Sequence, residues 1–546
     1  MTPVPVAHSS RLLTGSATIR RVLDRLSRRA GLVLAGVAMS SFIGAAAVSI
    51  LAGIPKPQIH DEFSNLLAAD TYSRMRLANP PHPEWRHFES IHIIQQPTYA
   101  SKYPPAQGLI LALGQLAGGH PIVGVWLSSV LMCTAIAWML QQWLPPRWSL
   151  VGAILAVLQF GICGYWAQSY WGGAIAAAGG ALLFGAIRRL GNSRALSTSV
   201  ALGVGLALLA FSRPFEGLVI AVPAGLMVLR ATSMAAFRRE KIRLIGPALA
   251  ILVVAGAFGL RLNSAVTGHW ARSAYVEHHE QYDVAPLFIW QAQRPVPDYA
   301  SDRVREFHLG WELDQWKNQQ SLSGWFQTRL KYSFVTLIAF GAPPPELRLP
   351  AFGEFALFPF LLISILPTTR KVRFAWGMIA LVVLALSTAT YFGPHYLAPI
   401  TSLLVYLTVV GMRTSAIALR NHPSLRGLLV PVALVAALGG TAYSAARFVK
   451  EETNAAKWWN QKAEIERELQ QRTTPSVVFV RYEPGQDIQR EWVYNSAAVD
   501  EQHVVWAHDM GAVANESLRN YFADRTAWLL LLARNGQHEL RQLSRD

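Results

Sequence analysis

Two adjacent carboxylates, Asp61 and Glu62, open a polar loop (residues 55–107) that follows a long apolar run. A carboxylate held in place can take the proton of a hydroxyl group as the hydroxyl attacks. Neighbouring side chains point in different directions, so one carboxylate can face the hydroxyl while the other orients the loop or links to a metal. Asp61 is the candidate base and Glu62 the candidate orienting group, although the roles are exchangeable. The alternative is an acidic first turn of a helix over 63–75, favoured by the helix dipole.

The same loop contains a candidate metal site and a candidate phosphate contact. Glu89 and His92 are three residues apart, which on a helix places a carboxylate and an imidazole on one face, as a divalent metal ion requires. Lys102 and Tyr103 precede two prolines. A lysine beside a rigid turn can contact a phosphate, or it can extend to the membrane boundary. The loop therefore combines a base, a cation and possible metal ligands.

Further charges lie at the edges of apolar segments. Arg213 and Glu216 stand between two such segments, where they either neutralise each other or line a substrate cavity. Arg261 and Arg272 flank a second polar loop (residues 263–330) and are candidate phosphate contacts, with a surface position as the alternative.

Two other sets of potential metal ligands are interpreted as parts of the structure and not as binding sites. His278-His279-Glu280 shows no metal-ligand spacing, and we expect a solvated turn there. Cys133 and Cys163 both fall inside apolar segments, which favours buried thiols over a disulfide.

The composition is that of a polytopic membrane protein. Of the 546 residues, 52% are hydrophobic and 15% charged, whereas soluble domains carry about 25% charged residues. The net charge of +16 could indicate a nucleic-acid partner. The basic residues, however, sit in short connections between apolar runs, where they orient membrane spans. We therefore expect membrane lipid as a partner and no nucleic acid.

The hydropathy pattern predicts an all-α membrane domain over residues 31–446, with about eleven transmembrane helices. If the basic connections are cytoplasmic, residues 1–30 form a cytoplasmic basic N-terminus, and both polar loops and the C-terminus lie outside. The predicted spans are 31–54, 121–143, 149–168, 172–190, 195–212, 215–230, 244–262, 352–367, 374–392, 394–412 and 427–446.

The tail, residues 447–546, has a different pattern. Short apolar runs alternate with helical segments, which predicts a small extramembrane α/β domain with a few parallel strands. It contains no nucleotide-binding glycine loop, so we expect a structural cap or an acceptor-docking module. The predicted elements are a helix through 464–469, strands at 477–480 and 504–507, a helix over 512–522 and a strand at 528–531.

Three motifs resemble the GT-C glycosyltransferase superfamily, nearest to its bacterial protein-mannosyltransferase-like and aminoarabinose-transferase-like branch. They are the acidic segment 61–70 after the first span, Lys102-Tyr103-Pro104-Pro105 before an interfacial helix over 104–118, and His395-Tyr396-Leu397-Ala398-Pro399 at a late span. The resemblance covers residues 30–412 and leaves out the tail.

The resemblance implies a fold, a reaction and site residues. In that superfamily an acidic residue of the first outer loop is catalytic, which points to Asp61, and a Lys-Pro-Pro-like turn approaches the lipid phosphate, which points to Lys102. Here Tyr103 separates the lysine from the prolines, and His395, followed by Tyr396, replaces an arginine. A permanent cation is thereby exchanged for a titratable one.

The implied reaction moves a sugar from a polyprenyl-phosphate donor to a lipid, glycan or protein hydroxyl, usually with inversion, at the periplasmic face of a bacterial inner membrane. A divalent metal ion is a candidate cofactor. Two alternatives stay open: a transporter or flippase of lipid-linked sugars, which would favour broken helices and a polar midplane site, and a non-catalytic partner in envelope biogenesis.

Overall fold

The computed structural model describes residues 24–190, 196–233, 238–338 and 352–544. Most of the predicted basic N-terminus, residues 1–30, lies outside these ranges.

Helices make up most of the described chain. Prolines stand in the first turn of several of them, where the missing N–H has no intrahelical partner to lose. In chain order the α-helices are α1 (Ala30–Ala52), α2 (His60–Ser73), α3 (Pro105–Gly118), α4 (Pro121–Trp143), α5 (Pro146–Ala156), α6 (Ala174–Leu190), α7 (Leu196–Ala210), α8 (Pro214–Ser233), α9 (Arg238–Thr267), α10 (Ala274–Gln281), α11 (Asp302–Glu306), α12 (Leu313–Lys317), α13 (Leu322–Ile338), α14 (Phe352–Ile363), α15 (Arg370–Leu386), α16 (Thr401–Ala418), α17 (Pro423–Glu452), α18 (Trp458–Gln470) and α19 (Ala512–Tyr521).

Five helical segments within the described ranges are long and apolar enough to cross a membrane. The predicted count of about eleven is not confirmed, because several predicted spans form helices shorter than the roughly 20 residues that a bilayer requires. The predicted span 149–168, for example, is divided among α5, a π-helical turn at Val157–Gly161 and a 3-10 turn at Tyr165–Ala167. The five segments are Ala30–Ala52, Pro121–Trp143, Ile245–Thr267, His395–Asn421 and Pro423–Glu452.

The outer faces of the helical bundle are apolar. Val254 on α9 is 70% exposed and Val435 on α17 is 68% exposed, and further aliphatic side chains of both helices are also exposed. A soluble protein rarely leaves so much contiguous apolar surface in water. Together with the five long apolar segments, these faces identify the chain as a membrane protein.

Two small sheets lie outside the helical bundle. β1 (Ile93–Ile94) and β2 (Ala100–Ser101) pair as an antiparallel hairpin in the first polar loop. The tail forms a four-stranded sheet in the order β4-β3-β5-β6, in which β3 pairs in parallel with β4 and β5, and β6 pairs antiparallel with β5. The predicted parallel strands are therefore present. The strands of the tail are β3 (Ser476–Tyr482), β4 (Val504–His508), β5 (Thr526–Leu532) and β6 (His538–Gln542).

The sheet of the tail shares a hydrophobic core with the first polar loop. Val477 and Phe479 of β3 belong to the same buried cluster as Leu67 of α2, Phe88 and Ile93. Since strand side chains alternate between faces, one face of β3 meets the loop while the other meets α18. The tail thus packs directly behind α2.

Candidate active site

A cavity of about 660 Å³ opens where the two polar loops meet the helical bundle. Its lining comes from distant parts of the sequence, including both loops and the segment before α16. The sequence-predicted site residues that line it are Asp61, His92, Lys102, Tyr103, Arg213, Glu216, His395 and Tyr396.

Helix α2 separates the two adjacent carboxylates. Both lie in its first turn, but consecutive helical residues are rotated by about 100°. Asp61 lines the cavity, whereas Glu62 is buried outside the cavity lining and accepts hydrogen bonds from the backbone N–H groups of Gln58 (2.8 Å) and Tyr170 (2.9 Å). Burial raises the pKa of Glu62 to about 7. Glu62 therefore ties the start of α2 to the segment at Tyr170.

The β1–β2 hairpin positions Lys102 and Tyr103 beside α2. The Lys102 N–H donates to the His92 carbonyl at 3.3 Å, which continues the hairpin pairing by one residue. Ser64 of α2 donates to the same carbonyl at 2.7 Å, and its hydroxyl lies 2.7 Å from that of Ser101. Two hydrogen bonds of Ser64 thus join α2 to the end of the hairpin.

Asp61, Tyr103 and His92 form a hydrogen-bonded chain. The Tyr103 hydroxyl donates to Asp61, and its oxygen lies 2.9 Å from His92 Nδ1. A phenol has one proton to give, so Nδ1 of His92 must be the donor in the second bond. Burial, with a contribution from Lys102, holds the pKa of His92 well below its usual value. The imidazole is therefore neutral and carries its proton on Nδ1.

The carboxylate of Asp61 is partly accessible from the cavity. Its side chain is 19% exposed, toward the cavity. Burial raises the pKa of Asp61 above its ordinary value, and the Tyr103 hydrogen bond and the charges of Lys102 and Arg213 act in the opposite direction. A partly desolvated carboxylate with a raised pKa has the properties of a general base.

Cations face the same cavity. Lys102 is buried, with Nζ 5.6 Å from the ring centroid of Tyr103 and 5.7 Å from that of Tyr275, and no described carboxylate lies within ion-pair distance of it. The Arg213 guanidinium lies 4.5 Å from the Tyr396 ring. Aromatic faces hold these cations in place and leave their donors available to a phosphate.

His395 and Glu216 complete the predicted part of the lining. The His395 ring packs against Trp171 at a centroid distance of 4.2 Å, and Glu216 is buried near Arg213 at the start of α8. Trp171 gave no site signal in the sequence beyond that of an aromatic belt.

Glu89 and His92 do not form the predicted metal pair. Their spacing was read on a helix, but the 3-10 turn ends at Phe88, and His92 has φ 66° in a turn. Glu89 accepts a hydrogen bond from the Ser301 N–H at 2.7 Å, while His92 is engaged with Tyr103. Without the helix the two side chains have separate partners and do not fit a shared cation.

The two predicted arginines of the second loop stay outside the cavity. Arg261 is exposed on α9, one position from buried Leu262, because the helical rotation turns the two side chains apart. Arg272 pairs with Glu277 (2.7 Å) and with Glu280 on α10.

The segment predicted as a solvated turn is the helix α10. His278 and His279 are buried on it, and burial lowers the pKa of His278 to about 3. Tyr275 on α10, Asp283 after it and Glu312 also line the cavity, although the sequence gave no spacing that singled them out.

No protein-family model and no curated sequence matches the chain. The structure resembles that of ArnT, an aminoarabinose transferase, from Cupriavidus metallidurans: in the apo state the TM-score is 0.51 at 12% identity, over 92% of both chains. For ArnT bound to undecaprenyl phosphate the TM-score is 0.50 at 13% identity, again over 92% of both chains. An oligosaccharyltransferase from Archaeoglobus fulgidus tethered to an acceptor peptide gives 0.42 at 10% identity, over 90% of this chain and 68% of that one.

The chain therefore has the fold of ArnT, a GT-C polyprenyl-phosphate-dependent glycosyltransferase, which is the fold that the sequence resemblance predicted. The two ArnT structures match over 92% of this chain, so the match extends into the tail that the sequence resemblance left out.

Proposed function

We propose that this protein is a membrane glycosyltransferase that transfers a hexosyl or pentosyl group from a polyprenyl-phosphate donor to a hydroxyl of a lipid, glycan or protein. The observation that carries the proposal is the shared cavity. Asp61, Lys102, Arg213 and His395 come from distant segments, yet all four line one space. A base beside two cations is the combination that transfer from a phosphate requires.

Asp61 acts as the base in the proposed reaction. The acceptor hydroxyl loses its proton to the Asp61 carboxylate while its oxygen forms a bond to the anomeric carbon. The bond from that carbon to the phosphate oxygen breaks, and its electron pair leaves with the polyprenyl phosphate. A single displacement of this kind inverts the anomeric centre. Tyr103 orients the carboxylate through its hydrogen bond.

Lys102 and Arg213 stabilise the leaving phosphate. Negative charge grows on the phosphate oxygen as the bond breaks, and preorganised cations in a partly desolvated cavity stabilise that charge strongly. His395, packed on Trp171, offers a further donor to the same group.

The proposed setting is the periplasmic face of a bacterial inner membrane. A donor with a polyprenyl tail stays in the bilayer, so its phosphate reaches a cavity only at the membrane surface. With the basic connections in the cytoplasm, the N-terminus (1–30) is cytoplasmic, the membrane domain (31–446) opens outward, and the tail (447–546) is periplasmic. The packing of the tail against α2 supports a role in holding the catalytic helix.

Purified Asp61→Asn protein tests the base. We expect its release of sugar from a panel of polyprenyl-phosphate donors to fall by about 10²–10⁴-fold, because the amide cannot take a proton. Asp70→Asn is the matched control. Asp70 lies on the same helix but accepts from the Ala497 N–H at 2.8 Å, away from the cavity, and an amide oxygen can keep that bond.

Two results would contradict the proposal in different ways. Unchanged turnover in Asp61→Asn would remove the base assignment alone. A folded wild-type protein that releases no sugar from any donor of the panel would exclude the transferase, and would favour a transporter of lipid-linked sugars or a non-catalytic partner.

A further inference from the structure

The second polar loop contains a buried cluster of three potential ligands. One imidazole or carboxylate atom from each of His278, Asp283 and His308 lies within 4.8 Å of the others. All three side chains are at least 95% buried. They come from two separate parts of the loop, since His278 belongs to α10 and His308 to the segment after α11.

Within the cluster, one nitrogen of each imidazole lies as far from the same carboxylate oxygen as two ligands of one metal ion lie from each other. Nδ1 of His278 and Nδ1 of His308 lie 3.3 Å and 3.5 Å from the same oxygen, Oδ1 of Asp283. Among the described residues, that oxygen and both ring nitrogens of His278 have no hydrogen-bond partner. Buried polar atoms without partners are costly, at about 1–3 kcal/mol each. Tetrahedral zinc with ligands at about 2.0–2.2 Å places neighbouring ligand atoms about 3.3–3.6 Å apart, which matches both distances.

The outer side of the cluster is also arranged as around a metal. His279 Nδ1 lies 2.8 Å from Oδ2 of Asp283, so the carboxylate is oriented with its other oxygen toward the two imidazoles. Glu312 Oε2 lies 2.6 Å from Nδ1 of His308, the same nitrogen that faces Asp283, so zinc binding through Nδ1 displaces the proton shared with Glu312. An imidazole that contacts a ligating carboxylate, as His279 does, fixes the orientation of that carboxylate. Asp283 and Glu312 together also supply two negative charges for a divalent cation.

Local backbone geometry brings His308 and Glu312 to the same place. Both lie in a π-helical turn, Phe307–Glu312, between α11 and α12. Such turns are rare and are frequently found at functional sites.

We propose that His278, Asp283 and His308 bind a zinc ion, with Glu312 as the adjoining carboxylate. Two imidazoles and one carboxylate oxygen form a ligand set that suits zinc. Magnesium and calcium prefer oxygen ligands alone. The site differs from the pair Glu89 and His92 and takes no part in the proton transfer to Asp61. Its effect is to join α10 to the π-helical turn, which fixes the side of the cavity that Asp283, Glu312 and Tyr275 line.

Zinc content tests the site without any sugar substrate. The full-length protein is purified through a tag that contains no histidine, stripped with a chelator, and titrated with Zn²⁺ alone. We expect near-stoichiometric zinc by mass spectrometry and a higher Tm in zinc than after stripping, because a ligand that binds only the folded state stabilises it. Co²⁺ in place of zinc should give the visible absorption of a tetrahedral site.

Matched variants locate the ion. His278→Ala and His308→Ala should lose the bound zinc, whereas His279→Gln, which only orients Asp283, should weaken Zn²⁺ affinity about 10–100-fold. His269→Gln, at an exposed histidine of the same loop, should bind zinc as the wild type does.

A folded wild-type protein that takes up no zinc and shows no change of Tm would overturn the proposal, even if every variant failed to fold. Zinc retained by both alanine variants would place the ion elsewhere and would equally overturn it. Neither result depends on sugar transfer, so the site and the proposed function fail separately.

Discussion

One face of helix α2 is closely packed against the tail, and the other face is partly open to the cavity. The face toward the tail is packed: Phe63 stacks on Tyr494 at a centroid distance of 4.2 Å, and His60 Nδ1 lies 2.8 Å from the Tyr494 hydroxyl. The face toward the cavity carries Asp61, whose described hydrogen-bond partner is Tyr103 and whose side chain is partly exposed.

In the proposed reaction, this difference explains how the carboxylate that acts as the base is held in place. Few contacts can be made to Asp61 itself without blocking the substrate, so the helix must be fixed from the opposite side. The tail and Glu62 provide that support. We therefore expect changes on the packed face to act on stability and changes on the cavity face to act on activity.

The largest effect is expected from Tyr494→Ala on the packed face. Loss of a buried aromatic ring that stacks on Phe63 should destabilise the fold by about 3–5 kcal/mol, seen as a large fall of Tm in the same detergent. Tyr494→Phe keeps the ring and removes only the hydroxyl, which should cost about 1 kcal/mol. Equal Tm values for the alanine variant and the wild type would show that the tail does not support α2.

Lys102→Met should have the opposite profile. It removes a cation from the cavity but keeps the length of the buried side chain, so turnover should fall by about 10²–10³-fold while Tm stays the same or rises. Lys317→Met, at an exposed lysine of the second loop, is the control for loss of positive charge. If Lys102→Met lowered Tm and left turnover unchanged, Lys102 would contribute to the stability of the fold and not to catalysis.

Tyr103→Phe should have the smallest effect, which is a shift in the pH profile of activity. Asp61 must be ionised to act as a base, so activity should fall as pH drops through its raised pKa. The Tyr103 hydrogen bond lowers that pKa, and its removal should move the acidic limb of the profile to higher pH. The plateau should fall by no more than about tenfold, the effect of one hydrogen bond. A limb that stayed in place or moved to lower pH would separate Tyr103 from the titration of the base.

Short elements with a clear local pattern were predictable from the sequence. The helix after the acidic pair was expected over 63–75 and is α2, and the apolar runs of the tail are strands β3, β4 and β5. The interfacial helix over 104–118 matches α3 to within a residue. Their periodicity, caps and prolines act between near neighbours, so the sequence expresses them directly.

Span count and ligand sets were not predictable in the same way. Hydropathy over 149–168 is high, yet the α-helix ends at Ala156 and passes into a π-helical turn that ends at Gly161, since apolar composition does not fix helix length. Glu89 and His92 have the spacing of a ligand pair, but that spacing has meaning only on a helix, and the backbone there is a turn.

What the sequence determined by itself is the class of the chain: a basic, apolar, many-helix membrane protein with an acidic pair after its first long helix and an α/β tail. What the tertiary structure decided is which of the polar residues meet. Asp61 and His395 share a cavity, Glu62 and Arg261 do not line it, and His278 lies next to His308. The rotation of side chains around a helix and the closure of long loops decide which residues become neighbours. Neither can be read from a short stretch of the sequence.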